Sequence, residues 1–572
     1  MGAETTAGSA RSLSIVSGPP LRTEPGLGTL TLPGYLREVC EKYGEREALV
    51  QRTADDVVRW TYTELWERAI EVASALRAAG VGKDTRVGVL MTNRPEWISA
   101  VFGTTLAGGV AVALSTFSTP SELDHLLRVS AVSVLLLERQ VLTKDFGAVL
   151  TELEPEIAKA APGELQSAKF PFLRRLVMIG EALPGGAIDT WDAFLAGGRQ
   201  EPRDLVEATG AAVQPSDTAL LFFSSGSTSK PKGILNSHRG AAIQLWRFAR
   251  IYGFTEQDNI RCWTGNGFFW SGNFCMALGA TFSSGGSVVL QPTFIPAEAL
   301  ELMQAERVNF PFAWPHQLAQ LAEAPNWNDV DLSSMRFPNF NTPIARHPTV
   351  SATWYEPGHA YGNTETFTLT TGLVANTPPE KHKNSFGEAL PGVTVKIVDP
   401  LTGAIVPRGE RGEICIKGPT LMLGYLGIPL DETLDAEGFF RAGDGGYLDD
   451  DGLLFWEGRL TDIIKTGGAN VSPREVDEAL ASFPGVKVGQ TVGVPHETLG
   501  EVVVSCVVPN TGVSLDAAEI RKFLRERLAS YKVPRHVFFF REDEIALTGS
   551  AKIKSADLRN LAADRLQSSG PR

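Results

Sequence analysis

The stretch Thr218-Ala-Leu-Leu-Phe-Phe-Ser-Ser-Gly-Ser-Thr-Ser-Lys-Pro-Lys-Gly233 changes character in its middle. Thr218 to Phe223 reads as a short buried strand, an apolar run that ends where small polar residues begin. From Ser224 onward come hydroxyl residues and glycine, with Lys230 and Lys232 near the end. Backbone N–H and Oγ atoms of such a loop can close around phosphate oxygens, while the lysines supply positive charge. A Walker loop needs Gly-Lys-Ser/Thr. Here Pro231 precedes Lys232 and Gly233 follows it, which disfavours a P-loop kinase or ATPase. An apolar, helical stretch follows His238.

The segments around this one alternate in the same way. Tyr62 to Ala79 carries apolar residues at helical spacing with Gly80 as a stop, and Arg86 to Met91 follows as a strand. Trp97 to Leu106 and Ser121 to Ser130 predict further helices, and Ser133 to Leu137 another strand. Alternation of this kind predicts an α/β fold with mostly parallel sheets covered by helices, whose ligands bind beyond the carboxyl ends of strands. A Gly- and Pro-punctuated, β-rich section begins near Gly387, and Val476 to Leu528 is mixed helix and strand.

The expected organisation is a large N-terminal lobe of parallel and mixed βα layers over 27–459. A β-rich subdomain spans about 387–459, and a small mobile α+β domain follows over 460–572. Residues 1–26, rich in Ser, Thr, Gly, Ala and Pro, read as a disordered tail. At ~150 residues per domain, 572 residues allow roughly four units, or fewer if some are large. Fifty-three Lys and Arg against sixty-six Asp and Glu leave a charge of −13, which argues against a nucleic-acid partner and makes any anion site local.

Five scattered cysteines without a CxxC pair predict buried thiols in a reducing, cytoplasmic setting. Met1-Gly2 with Thr6 fits a myristoylation pattern, but no polybasic patch follows, so no stable membrane anchor is expected. No stretch reaches the ~18 apolar residues that cross a bilayer. The run Asp449-Asp-Asp-Gly452 lacks EF-hand spacing and reads as a turn, and the histidines show no zinc-ligand pattern. An oligomer is compatible with this composition.

Five motifs stand in a particular order: the Ser224–Gly233 loop, Tyr361-Gly-Asn-Thr-Glu365, Gly443-Asp444, Gly458-Arg459 and Lys552. Together they resemble the acyl-adenylate-forming superfamily, which holds acyl-CoA synthetases, peptide-synthetase adenylation domains and beetle luciferases. The resemblance implies an AMP-forming acyl-CoA ligase with ATP (or acyl-AMP) and coenzyme A as substrates and Mg²⁺ as cofactor. It implies that Ser224, Ser225, Gly226, Ser227, Thr228 and Lys232 hold the β- and γ-phosphates. Tyr361 would stack on adenine, with Gly362, Asn341 and Thr342 in the same nucleotide pocket. Thr364 would bond the α-phosphate and Glu365 would help hold Mg²⁺. Asp444, assisted by Arg459, would take the ribose hydroxyls, and Lys552 would bridge the substrate carboxylate and α-phosphate.

In relatives the small domain rotates about a hinge, here near Thr461, after adenylation. Gly467 and Gly468 would then lie along the pantetheine arm, and Trp270 occupies the place of the residue that gates the thiol tunnel. Arg474, Lys465 and Lys532 are candidates for the CoA phosphates. The acyl pocket is expected from Trp246, Phe269, Phe274, Trp314 and Asn363, an apolar and aromatic set that favours a bulky hydrophobic acid. The absence of Asp from Phe268 to Phe274 disfavours an amino acid.

Three departures from the family's usual pattern stand out. Ser229 replaces a glycine of the phosphate loop, Ala551 replaces the glycine before Lys552, and Asn341-Thr-Pro343 replaces a Gly-Gly-Ala-Pro-like turn. A displacement of ~1 Å at Lys552 can cost ~10² in rate. This raises the alternative that the adenylating step is weakened or lost, leaving thioesterification of a preformed acyl-AMP. Two more alternatives are an enzyme that loads an acyl carrier protein and a silent nucleotide-binding homologue.

Overall fold

The computed structural model describes residues 12–53, 56–180, 186–224, 231–339, 341–355, 360–466, 469–496, 499–528, 530–545 and 555–568. The chain folds into two units. One comprises Ser17–Val393 with Lys417–Gly438; the other comprises the described parts of Met1–Val16, Thr394–Ile416 and Phe439–Arg572.

The first unit is built on an eight-stranded sheet. Its strands run in the order Ile188–Thr190, Arg175–Ile179, Val134–Glu138, Arg86–Leu90, Val110–Ala113, Thr218–Ser224, Lys232–Ser237 and Gly424–Tyr425. The first six are mutually parallel, and the last two pairings are antiparallel. Continuous apolar runs such as Val134-Leu-Leu-Leu137 are buried throughout, the pattern of strands covered on both faces. Helix Tyr62–Ala78 starts at a capping box: Thr61 Oγ1 accepts from Glu64 N at 3.1 Å and Glu64 Oε2 accepts from Thr61 N at 2.8 Å. It packs against the helix Pro95–Leu106, eleven of whose twelve residues are buried.

A second sheet orders Phe310–Phe312, Arg261–Thr264, Ser287–Leu290, Glu47–Arg52 and Val57–Thr61, parallel except for the last pair. A small antiparallel sheet joins Tyr361–Asn363, Thr368–Gly372 and Glu388–Ala389. The mixed α/β character expected from the sequence is therefore present.

One local difference matters for the site. The sequence reading passes from the serine-rich loop to the helix after His238, but the strand Lys232–Ser237 lies between them. Its apolar Ile234 and Leu235 pair back on Phe222 and Leu221, so the strands before and after the loop form an antiparallel hairpin. Ser237 then caps helix His238–Tyr252, its Oγ accepting from Gly240 N at 3.1 Å. His238 is 1% exposed and its Nδ1 accepts from Leu32 N at 3.2 Å, and burial pushes its pKa down to about 4.

Residues 12–26 are not the frayed tail expected. Ile15–Ser17 is an edge strand beside Thr394–Val398. Within the first unit, Glu24 pairs with Arg247 at 2.7 Å, both side chains being 0% exposed, and Arg250 adds a second contact at 2.6 Å. A composition of small and polar residues hides this, because a single buried charge with two guanidinium partners leaves little trace in the overall composition.

The second unit carries two sheets. One orders Ile15–Ser17, Thr394–Val398, Gly412–Lys417, Phe440–Leu448 and Leu454–Arg459. The other joins Ala469–Val471, Ile464–Thr466, Gly500–Pro509 and Val486–His496, with His536–Phe539 parallel to Gly500–Pro509. Helices Pro473–Ala481 and Ala517–Arg525 cover one core, and Ser555–Ser568 closes another. Asp477, on the first of these helices, is part-buried, and burial pushes its pKa up to about 8. Residues 449–452 form the expected turn, with Gly452 N donating to Asp449 O at 3.0 Å. All five cysteines are buried. Among the described residues no helix is long and apolar enough to cross a membrane.

Candidate active site

Ser224 and Lys232 are the last registered pair of the hairpin that carries the serine-rich loop. Ser225, Gly226, Ser227 and Thr228 lie outside the described residues, as does Ser229. Lys232 is exposed, and its ammonium stands 5.0 Å from the centroid of the Tyr425 ring. Tyr425 belongs to the edge strand next to the hairpin, where it pairs with Ile234, two residues beyond that lysine. Its phenol donates to Glu365 Oε1 at 2.7 Å.

Glu365 sits in a single 3₁₀ turn, Thr364–Thr366. Asn363 caps it, with Oδ1 accepting from Thr366 N at 3.0 Å. The chain leaves through Phe367 (φ 49°) and Thr368 (φ 83°), two consecutive non-glycine residues in the left-handed region. Each costs on the order of 1–3 kcal/mol and persists only where packing over-determines it. Here Phe367 is 0% exposed and meets Phe222 edge-on at 5.7 Å, and Met422 N donates to Glu365 O at 2.7 Å. Gly362 admits the close return of the chain: a Cβ there would lie 1.6 Å from Thr368 O. Tyr361 is 3% exposed and its carbonyl accepts from Thr370 Oγ1 at 3.1 Å. Asn341 and Thr342 enter a short 3₁₀ turn, Pro343–Arg346, and both are tied to Asn339.

Three of the aromatic residues near the expected acyl pocket come together, and one of them was not foreseen. Trp270 is half-buried and lies parallel to Phe117 at 5.9 Å, and Phe269 meets it edge-on at 4.8 Å. Phe117 is 51% exposed, yet its loop is fixed because Lys144 Nζ donates to the carbonyls of Thr116, Phe117 and Ser118 at 3.1, 2.8 and 3.0 Å. A buried amide network positions the other side. Asn93 Nδ2 and Asn273 Nδ2 both donate to Asn266 O, and Phe268 N donates to Asn93 Oδ1. Trp314 is 36% exposed beside Phe312. Phe274 is a core residue, packed on Trp97, Phe102 and Phe222. Trp246 packs elsewhere: Nε1 donates to Thr29 O and the ring meets Tyr35 edge-on at 4.6 Å. Asn363 spends its carboxamide oxygen on the turn cap described above.

In the second unit, Asp444 and Arg459 face each other across adjacent antiparallel strands. Arg459 Nε lies 3.2 Å from Asp444 Oδ1, and its Nη1 donates to Ala442 O at 2.7 Å. The aspartate side chain is 4% exposed and the arginine 50%. Gly443 (φ 67°) and Gly458 (φ 118°) supply the left-handed backbone that turns each charged residue at its strand end. Thr461 is exposed in the following turn, where Asp462 N and Ile463 N both donate to Arg459 O. Gly467, Gly468, Ala551 and Lys552 lie outside the described residues. Of the CoA candidates, Lys532 is held by both oxygens of Glu475 at 2.6 Å, and Arg474 by Glu478 at 2.7 Å and by the Trp456 ring at 4.6 Å.

Residues 36–426 match the family described as AMP-binding enzyme, and residues 475–552 match the AMP-binding enzyme C-terminal domain. The chain belongs to the AMP-binding enzyme family. This AMP-binding enzyme is 33% identical over 509 residues to a feruloyl-CoA synthase of Amycolatopsis sp., covering 87% of this chain and 93% of that one. It is 30% identical over 538 residues to the 3-[(3aS,4S,7aS)-7a-methyl-1,5-dioxo-octahydro-1H-inden-4-yl]propanoyl:CoA ligase of Rhodococcus jostii (strain RHA1), covering 92% and 98%. Its fold matches the crystal structure of an anthranilate CoA ligase in complex with anthranoyl-AMP with a TM-score of 0.78 at 23% identity, over 96% of this chain and 100% of that one. The AMP-binding enzyme is an AMP-forming acid–thiol ligase that binds a small-molecule acid and ATP or AMP.

Proposed function

We propose that this ligase activates a bulky, largely apolar carboxylic acid as its acyl-AMP and passes the acyl group to the thiol of coenzyme A. A carboxylate oxygen attacks the α-phosphorus of ATP, the bond to the β-phosphate oxygen breaks, and pyrophosphate leaves. The CoA thiolate then attacks the acyl carbon and AMP departs with the bonding electrons. Both steps concentrate negative charge on phosphate oxygens, so donors and cations must stand in place beforehand.

The observation that carries this reading is the junction of Lys232, Tyr425 and Glu365. It sets the exit of the serine-rich loop and the Thr364-Glu365 turn side by side, where a triphosphate needs a cation and a metal carboxylate. In this reading Ser224 and Lys232 hold the outer phosphates, Thr364 donates to the α-phosphate, and Tyr361 lines adenine with Gly362, Asn341 and Thr342. Asp444, aligned by Arg459, accepts the ribose hydroxyls. Lys552 brings its charge to the acyl carboxylate and α-phosphate. The oxygen donors fit Mg²⁺: Glu365 Oε1 is taken by a phenol, and Oε2 makes no hydrogen bond among the described residues. When bound, Mg²⁺ supplies charge neutralisation on the phosphates.

For the acid, the Phe117, Phe269 and Trp270 cluster with Trp314 supports a ring-bearing or branched substrate over a short polar one. The turn after Arg459 is the place for a hinge at Thr461, about which the C-terminal region would bring Gly467 and Gly468 to the pantetheine arm. Mass spectrometry of both half-reactions tests the proposal: ATP with a panel containing ferulic, anthranilic, hydrindane-propanoic and medium-chain acids, and separately their acyl-AMPs with CoA. Acyl-AMP with pyrophosphate, followed by acyl-CoA, is expected. Thioester formation from acyl-AMP without pyrophosphate release in the first assay would leave only the second half-reaction. Transfer solely to a phosphopantetheinyl carrier protein, or no product at all, overturns the proposal.

A further inference from the structure

We infer that Tyr425 is a positioning residue for the nucleotide and its divalent cation, acting through Glu365 and Lys232. The inference rests on the proposed role of those two residues and adds a third that lies outside the five motifs read from the sequence. The edge strand grips the glutamate twice, because Met422 N donates to Glu365 O and Tyr425 Oη donates to Glu365 Oε1, both at 2.7 Å. The strand is itself registered on the hairpin that ends in the serine-rich loop. Tyr425 pairs with Ile234 and Gly424 with Leu235, Leu423 N donates to Leu235 O at 2.7 Å, and Leu426 N donates to Gly233 O at 2.8 Å.

These contacts divide the work of one side chain. The hydroxyl fixes one oxygen of the Glu365 carboxylate and so orients the other as a single oxygen donor; carboxylates that hold cations are commonly held by such a second hydrogen bond. The ring lies beneath the Lys232 ammonium at 5.0 Å, within cation–π range, and limits where that flexible cation can travel. The strand adds to the Phe222–Phe367 contact a second tie between the loop exit and the Glu365 turn. With it, the cation site and the phosphate-binding lysine share one rigid support.

Two substitutions separate the two contacts. Tyr425→Phe keeps the ring and removes the hydroxyl, and Tyr425→Leu removes both. ATP binding to the full-length protein is measured by titration calorimetry across Mg²⁺ concentrations and in excess EDTA, with thermal melting as a check of folding. For Tyr425→Phe, the Mg²⁺ concentration that half-saturates the enhancement of ATP binding is expected to rise about tenfold, with EDTA-state affinity unchanged. For Tyr425→Leu, the EDTA-state affinity is expected to fall as well, by about three- to fivefold. The same Mg²⁺ half-saturation in Tyr425→Phe as in the parent overturns the inference, and so does an equal loss with and without Mg²⁺. Failure of the parent protein to bind ATP under any of these conditions overturns the underlying reading and this inference with it.

Discussion

The two units build the residues proposed to bind the nucleotide in different ways. In the second, Asp444 and Arg459 meet because two consecutive antiparallel strands place them opposite each other, and a glycine before each sets its angle. In the first, Lys232, Glu365 and Tyr425 come from three separate segments, joined by an edge strand and by a turn with two left-handed non-glycine residues. The first arrangement needs only local register. The second stores backbone strain and depends on packing to hold it, so equally small substitutions should damage it far more.

Gly362→Ala is the sharpest way to break that contrast. Its Cβ would press on the Thr368 carbonyl, which is backbone and cannot swing aside. A loss of at least ~3 kcal/mol in urea unfolding is expected, together with loss of ATP binding. Wild-type unfolding of the Ala variant would mean that the strained turn is not rigid. In the other unit, Asp444→Ala should leave the melting curve nearly unchanged while weakening ATP binding ~10²-fold in calorimetry, the loss of two hydrogen bonds to a charged acceptor. A large fall in melting temperature for this variant would remove the distinction between the units.

Acid and base should also act on different units. His238 has its folded-state pKa depressed to about 4 by burial, whereas an unfolded histidine takes its proton near ~6.5. The unfolded chain therefore binds the extra proton first, and stability is lost as pH falls from ~6.5 through about 4, by at most ~3 kcal/mol. His238→Asn should flatten that acid limb in denaturant midpoints taken from pH 7 to pH 4. Asp477 has the opposite sense. Its folded-state pKa is raised to about 8, so it opposes folding progressively as pH rises from ~3.8 through about 8. The side chain is only part-buried, and Asp477→Asn is expected to recover no more than ~1–2 kcal/mol at pH 8. Hydrogen exchange should place this gain in helix Pro473–Ala481 and leave helix His238–Tyr252 unaffected.

Much of the first unit was legible because helix and strand periodicities there are strong and local. The helix after Thr61 and the apolar run Val134–Leu137 fold where their patterns put them. The motif order also gave the family, since five short signals in sequence are far more specific than any one. What the sequence concealed was pairing over long distances. Nothing in Gly424-Tyr425 distinguishes an edge strand that grips Glu365 from one more strand of a β-rich section. The strand Lys232–Ser237 was not foreseen, because Lys-Gly at its start belongs to the loop motif and a helix cap closes it after a few residues. Phe117 was missed because a lone aromatic among Ser and Thr gives no period, whereas its meaning comes from Lys144 and Trp270. Trp246 was placed by its position between the phosphate loop and Tyr361, where relatives line the acyl pocket, and that position does not say which neighbour it touches.

The pairing of the chain's beginning with its middle carries a consequence for biosynthesis. Ser14 Oγ donates to Pro407 O, 393 residues further on, and Ser14 N to Val406 O. At translation rates of ~10 residues per second, the first strand waits about 40 s for its partner to leave the ribosome. During that interval its N–H and C=O groups are open to any passing edge, so nascent-chain chaperones have a defined segment to shield.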